Sequence, residues 1–106
     1  MKPMDLARIA AHESIMTLIF IKKDGSIRKV LASRSNLMYD AANAAAGHTW
    51  MHEGTPSGCF SFVDVKENKW KRLTIENLIA VKRADGTVFC TTKKALKAAE
   101  KVVGRI

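Results

Sequence analysis

Near the end of the chain, Lys93, Lys97, Lys101 and Arg105 recur at every fourth residue. On a helix that spacing sets four positive charges on one face, where each repels the next by a few tenths of a kcal/mol. Such a stripe has two readings. It is a solvated outer face opposite Leu96 and Val103, or it is a surface that tracks phosphates. Other cations add to the second reading: Lys22, Lys23 and Arg28 come early, and Lys66, Lys69, Lys71, Arg72, Lys82 and Arg83 come later. Trp50 is the aromatic best placed by sequence to stack a base beside them. Trp70 is assigned to the core.

The charge is uneven. The 106 residues carry a formal net charge of +8. Residues 1–65 hold 7 Lys and Arg against 6 Asp and Glu, whereas residues 66–106 hold 11 against 4. A basic half points to an acidic partner such as nucleic acid, an anionic surface or an acidic protein.

Other chemistry finds less support. His48 and His52 are four apart with Glu53 adjacent, a spacing that could share a metal on a helix. The flanking Gly47 and the run Gly-Thr-Pro-Ser-Gly oppose a regular helix there, and a third ligand would have to come from His12 or Cys59. They read as loop histidines. No motif frames a nucleophile, and no phosphate-binding glycine loop or paired-carboxylate signature is present. The expectation is a protein that is not an enzyme and holds no metal and no cofactor. Cys59 and Cys90 fall in separate strand patterns outside any C-x-x-C and read as small buried hydrophobes; a disulfide would need neighbouring strands. No apolar run reaches the roughly 20 residues of a membrane span, and the N-terminal stretch lacks a signal-peptide core. The expected location is cytoplasmic.

The elements that must position these residues follow from periodicity and turn chemistry. Residues 3–13 carry Met4, Leu6, Ile9 and Ala10 at helical spacing, with Asp5 in the first turn. Residues 15–32 form a hairpin, "IMTLIFI" and "SIRKVLA" joined at Asp24-Gly25. The unit "IKKDGSIRKV" is echoed by "VKRADGTVFC". Residues 33–57 form an insert, part helical over the alanine-rich run that Gly47 closes. Residues 58–90 hold the remaining strands. In the first, Phe60 and Phe62 alternate with Ser61, Val63 and Val65. In the next, Trp70 and Arg72 face one side, Lys71 and Leu73 the other. Lys71 and Arg72 can therefore serve one surface only from an edge strand. Arg72 is placed to stack on Trp70 or to pair with Asp64. "IEN" predicts a single helical turn. Residues 92–104 form a C-terminal helix capped by Thr92, with Ala95, Leu96, Ala99, Val102 and Val103 inward.

Short strands, tight hairpins, a long second connection and a one-turn helix before a late strand predict a mainly β fold with added helices (α+β). The specific expectation is an SH3-like small β-barrel of five or six strands within a single domain, residues 1–106. The stretches "FIKKDGSIRKVLA" and "FSFVDVKENKWKRLTIENLIAVK" carry a likeness as well. They resemble a family of small SH3 β-barrel fold-containing proteins from phages and gut anaerobes, with a K-K-D-G-[ST]-I-R hairpin and a later W-[RK]-x-[FL] strand. The matching positions are Lys22 to Arg28, then Asp64, Trp70, Lys71, Leu73, Ile75, Leu78 and Ile79, and the resemblance spans about half the chain. "WKRLTIENLIAV" is also similar to the strand pair of WYL-type ligand-sensing domains. These resemblances imply a fold and no settled activity.

The functional expectation is a non-enzymatic binding module that takes nucleic acid through a basic face. Its contacts would be Lys22, Lys23, Arg28, Trp50, Lys69, Lys71, Lys82, Arg83, Lys93, Lys97, Lys101 and Arg105. The alternative is a protein–protein interaction module, either a phage-type factor docking on a host protein or a homodimer built through the helices. No membrane partner is expected.

Overall fold

The computed structural model describes residues 1–35 and 58–106. The part of the insert expected to be helical, Trp50, His48 and His52 lie outside the described residues.

Helix α1 spans Pro3–Ala11. Pro3 pre-sets the first turn, and the Asp5 carboxylate accepts from the Lys2 backbone N–H at 3.2 Å. Its buried face is Leu6, Ala7 and Ala10; Met4, expected inward, is 45% exposed. Ala7, one turn further on, is buried where Met4 was expected. Strands β1 (Ile15–Ile21) and β2 (Ile27–Ser33) form the first hairpin. Strands β3 (Cys59–Asp64) and β4 (Lys69–Thr74) form the second. One 3-10 turn, Ile75–Asn77, leads into β5 (Leu78–Arg83), then β6 (Val88–Cys90) and helix α2 (Lys93–Val103). The Thr92 hydroxyl caps α2, accepting from the Ala95 N–H at 3.0 Å.

The two Asp-Gly turns are built alike. Lys22 donates its N–H to the Ser26 carbonyl at 2.8 Å, and Gly25 donates to the Lys22 carbonyl at 2.9 Å. Arg83 and Gly86 make the same bonds to Thr87 and Arg83, at 2.8 and 2.9 Å. Asp24 and Asp85 each accept from the backbone two residues on, at 2.9 Å. Gly25 and Gly86 take φ of +86° and +94°, a region costly for residues with a Cβ. These turn bonds hold both exposed carboxyls below their ordinary range: Ser26 acts first on Asp24 and Thr87 on Asp85.

All six strands join one antiparallel sheet in the order β4-β3-β2-β1-β5-β6. The sheet is not closed into a barrel, which corrects the closed form expected from sequence. Among the described residues the end strands β4 and β6 do not pair with each other. The sheet nevertheless curls. A register shift at Ile19/Phe20 bends β1 against β5. Across the intervening β2, the rings of Phe20 and Phe62 meet edge to face at 6.1 Å. Closure is not needed to bury the apolar surface, because a helix lies on each face. Helix α1 packs on β5 and the 3-10 turn and covers the concave core of Leu18, Phe20, Val30, Phe60, Phe62, Leu73 and Leu78. Helix α2 covers the other face, over Ile19, Ile79 and Ala80. On α2, Ala99 is fully buried while Val102, expected inward, is 66% exposed. The stripe that touches the sheet is Ala95, Leu96, Ala99 and Val103. Burying one large side chain such as Phe62 contributes about 2 kcal/mol, so these two cores outweigh the exposed ion pairs, worth less than about 1 kcal/mol each.

Cys59 and Cys90 are free and half-buried rather than fully buried. They stand on β3 and β6, which are not neighbours in the sheet.

Candidate nucleic-acid interface

The alternation along β3 and β4 decides what gathers at the open end of the sheet. Phe60 lies opposite Leu73, Phe62 opposite Lys71 and Asp64 opposite Lys69, so all six share the concave face. An acid on that face must be paired, because an unpaired buried charge is costly. Asp64 is 2% exposed. One of its oxygens accepts from the backbone N–H groups of Lys66 and Glu67 at 3.0 and 3.2 Å. The other accepts from Arg28 Nη2 at 2.9 Å and Lys71 Nζ at 3.1 Å. Burial pushes the Asp64 carboxyl up, but the Lys71 ammonium and the Glu67 backbone N–H outweigh it and hold the group below its ordinary range. Arg72, expected to reach either Trp70 or Asp64, points to the other side of β4. Its guanidinium stands 6.0 Å from the Trp70 ring centroid, at the limit of a cation–π contact. The sequence reading missed that Arg28 and Lys71 converge on one buried carboxylate.

Between the β1–β2 hairpin and β4 lies a cleft of about 630 Å³. Buried Phe20, Phe62 and Leu73 form its floor. Half-buried Trp70 forms a wall, so it is not the fully buried core residue expected. Lys22, Lys23, Arg28, Lys71 and Arg72 line the same cleft. Lys71 and Arg72 leave their strand in opposite directions yet meet here because β4 is an end strand. A second groove, of about 540 Å³, shares Lys22 and Arg28 with the cleft and continues past Lys29 and Lys66. Among the described residues, Lys22, Lys23 and Arg72 make no ion pair. Lys23 and Arg72 thus bring two positive charges to the cleft with no ion-pair partner among the described residues, and Lys22 brings a third whose charge also acts on Asp24 in its own turn.

The remaining sequence candidates go elsewhere. Lys69 is exposed on β4 and does not line the cleft. Lys82 donates to the Ile106 carbonyl at 2.9 Å. Arg83 is tied to Glu13 at 3.0 Å, and that hydrogen bond together with the Asp85 charge raises its pKa. Lys93, Lys97, Lys101 and Arg105 are exposed on and just beyond α2, which packs on β2, β5 and β6. None of the four lines the cleft. No group of acids, histidines and cysteines able to hold a metal occurs among the described residues, and none of their helices is long and apolar enough to cross a membrane.

Residues 10–79 match a family model described as WYL_2, Sm-like SH3 beta-barrel fold. The chain belongs to that family. Every residue that lines the cleft falls inside the matched span, whereas α2 and its cationic stripe fall outside it. Comparison with curated proteins and with solved structures finds no significant match.

Proposed function

We propose that this member of the WYL_2 family is a non-enzymatic binding module whose cleft takes a segment of single-stranded nucleic acid. The observation that carries the reading is the coincidence, in one cleft, of three cations that make no ion pair among the described residues with the half-buried Trp70 wall. Bases stack on aromatic faces in proteins that bind single strands, each contributing about 1–3 kcal/mol, while cations follow the backbone. Trp70 with Arg72 offers such a face. The adjoining groove past Lys29 and Lys66 extends the positive track from the cleft in one direction. A duplex keeps its bases stacked inside and presents no free face to the Trp70 wall, so single strands are preferred.

A fluorescence titration with single- and double-stranded oligonucleotides of DNA and RNA, at two salt concentrations, tests this. Single strands bind more tightly than duplex, and affinity falls steeply as salt rises because counterions are released. Absence of binding at low salt removes the reading. The alternative is a protein partner, which draws on β4 being the end strand among the described residues: an extended peptide could add beside it. Backbone pairing of that kind depends little on salt, so the same titration with peptide ligands separates the two.

A further inference from the structure

Two of the cleft cations already hold anions, and the two anions are held differently. Asp64 is buried and fixed by two backbone N–H groups. Glu67 is exposed in the β3–β4 turn, with its side chain 45% accessible. Its Oε2 accepts from Arg28 Nη2 at 3.1 Å and also from Lys71 Nζ. Arg28 and Lys71 are themselves 35% and 28% accessible, and both line the cleft. Remove the Glu67 carboxylate, and Arg28, Lys71 and Asp64 together carry one net positive charge with donors aimed at a single vacated point.

We infer that Arg28 and Lys71 form a binding subsite for one phosphate group, and that the Glu67 carboxylate occupies it as an internal competitor until a ligand phosphate displaces it. Asp64 fixes the two donors, so the site exists before the ligand arrives. Among the described residues no backbone N–H holds the Glu67 carboxylate, so a turn-residue rotation releases the site. A phosphodiester carries one negative charge and replaces one carboxylate, leaving the local charge unchanged. Arg28 borders both the cleft and the adjoining groove. A backbone passing from one to the other meets this point. The choice of a nucleic-acid phosphate rests on the reading proposed above; the subsite itself does not.

The test compares the wild-type chain with Glu67→Gln and with Asp85→Asn. Asp85 follows Arg83, which lies opposite Met16 at the far end of β1 from the cleft, so Asp85→Asn makes the same charge change at a distance that salt screens. Oligonucleotide affinity is read by fluorescence anisotropy at fixed ionic strength. Inorganic phosphate binding is read by NMR on the Arg28 side-chain N–H. Glu67→Gln tightens single-strand binding about fivefold, the scale of one part-exposed ion pair, and Asp85→Asn changes it less than about 1.5-fold. Phosphate shifts the Arg28 signal at lower concentration in Glu67→Gln than in wild type. Equal effects of the two substitutions, with the oligonucleotide still bound, overturn the Glu67 inference and leave the nucleic-acid reading standing. A phosphate response confined to Glu67→Gln, with no oligonucleotide bound by any variant, keeps the subsite and overturns the nucleic-acid reading. No phosphate response in any variant overturns the subsite.

Discussion

The molecule has two basic regions, and they differ in what surrounds the charge. Along α2, the cations stand on water-facing positions, opposite a stripe of small and aliphatic residues that packs on the sheet. No aromatic ring accompanies them among the described residues of that helix. At the cleft, cations from the first turn, β2 and β4 converge on Phe20, Phe62 and Trp70, and a buried carboxylate fixes two of them. A regular charge spacing in sequence therefore marks the less organised region. Cations scattered over fifty residues mark the more organised one, because strand pairing gathers them.

Breaking the anchor of the cleft has the largest expected effect. Asp64→Ala leaves Arg28 and Lys71 without their buried partner and two backbone N–H groups without an acceptor. Stability falls by about 3 kcal/mol, read as a lower midpoint in urea. Asp64 also predicts the acid limb of stability. Its carboxyl lies lower in the folded state than in the unfolded chain, so its contribution is complete above the ordinary carboxylate pKa and is lost as pH falls through the folded value. Between neutral pH and about pH 4 that contribution persists, and below it the wild type loses stability faster than Asp64→Asn does. A parallel acid limb in the two proteins contradicts the assignment.

Ligand binding gives the next contrast. Trp70→Ala removes a stacking wall and weakens single-strand binding at least about fivefold, with the fold retained by circular dichroism. Lys22→Ala with Lys23→Ala removes two cleft cations and lowers the slope of log affinity against log salt by about 1.4. The smallest effect is expected at α2. Lys97→Ala with Lys101→Ala changes affinity less than about twofold, because those charges lie outside the cleft. A salt slope that drops more for the α2 pair than for the turn pair reverses the comparison.

Much of the fold was legible locally. Asp-Gly between apolar strand patterns announced the β1–β2 and β5–β6 hairpins, Thr92 announced the start of α2, and "IEN" announced the 3-10 turn. Closure of the sheet was not legible. It depends on whether the end strands meet, and that is settled by where α1 and α2 lie rather than by any strand's own pattern. Within the site, alternation placed Lys71 and Arg72 on opposite sides of β4. The same alternation puts Asp64 on the side of Phe60 and Phe62, so an acid on the core face was a readable signal of a buried ion pair. Its partner Arg28 was not readable, since it comes from a strand 36 residues away along the chain. Lys82 and Arg83 looked like members of the basic cluster, and only the fold shows them engaged with Ile106 and Glu13.

The twin Asp-Gly turns supply a comparison within one chain. Position by position, Lys22 answers to Arg83, Asp24 to Asp85, Gly25 to Gly86 and Ser26 to Thr87, while Lys23 answers to Ala84. The backbone thus closes the same loop with lysine in one copy and alanine in the other. The chain already carries its own alanine variant of that corner, and it folds. The amine of Lys23 is a passenger on the turn, open to change without disturbing the scaffold that presents it.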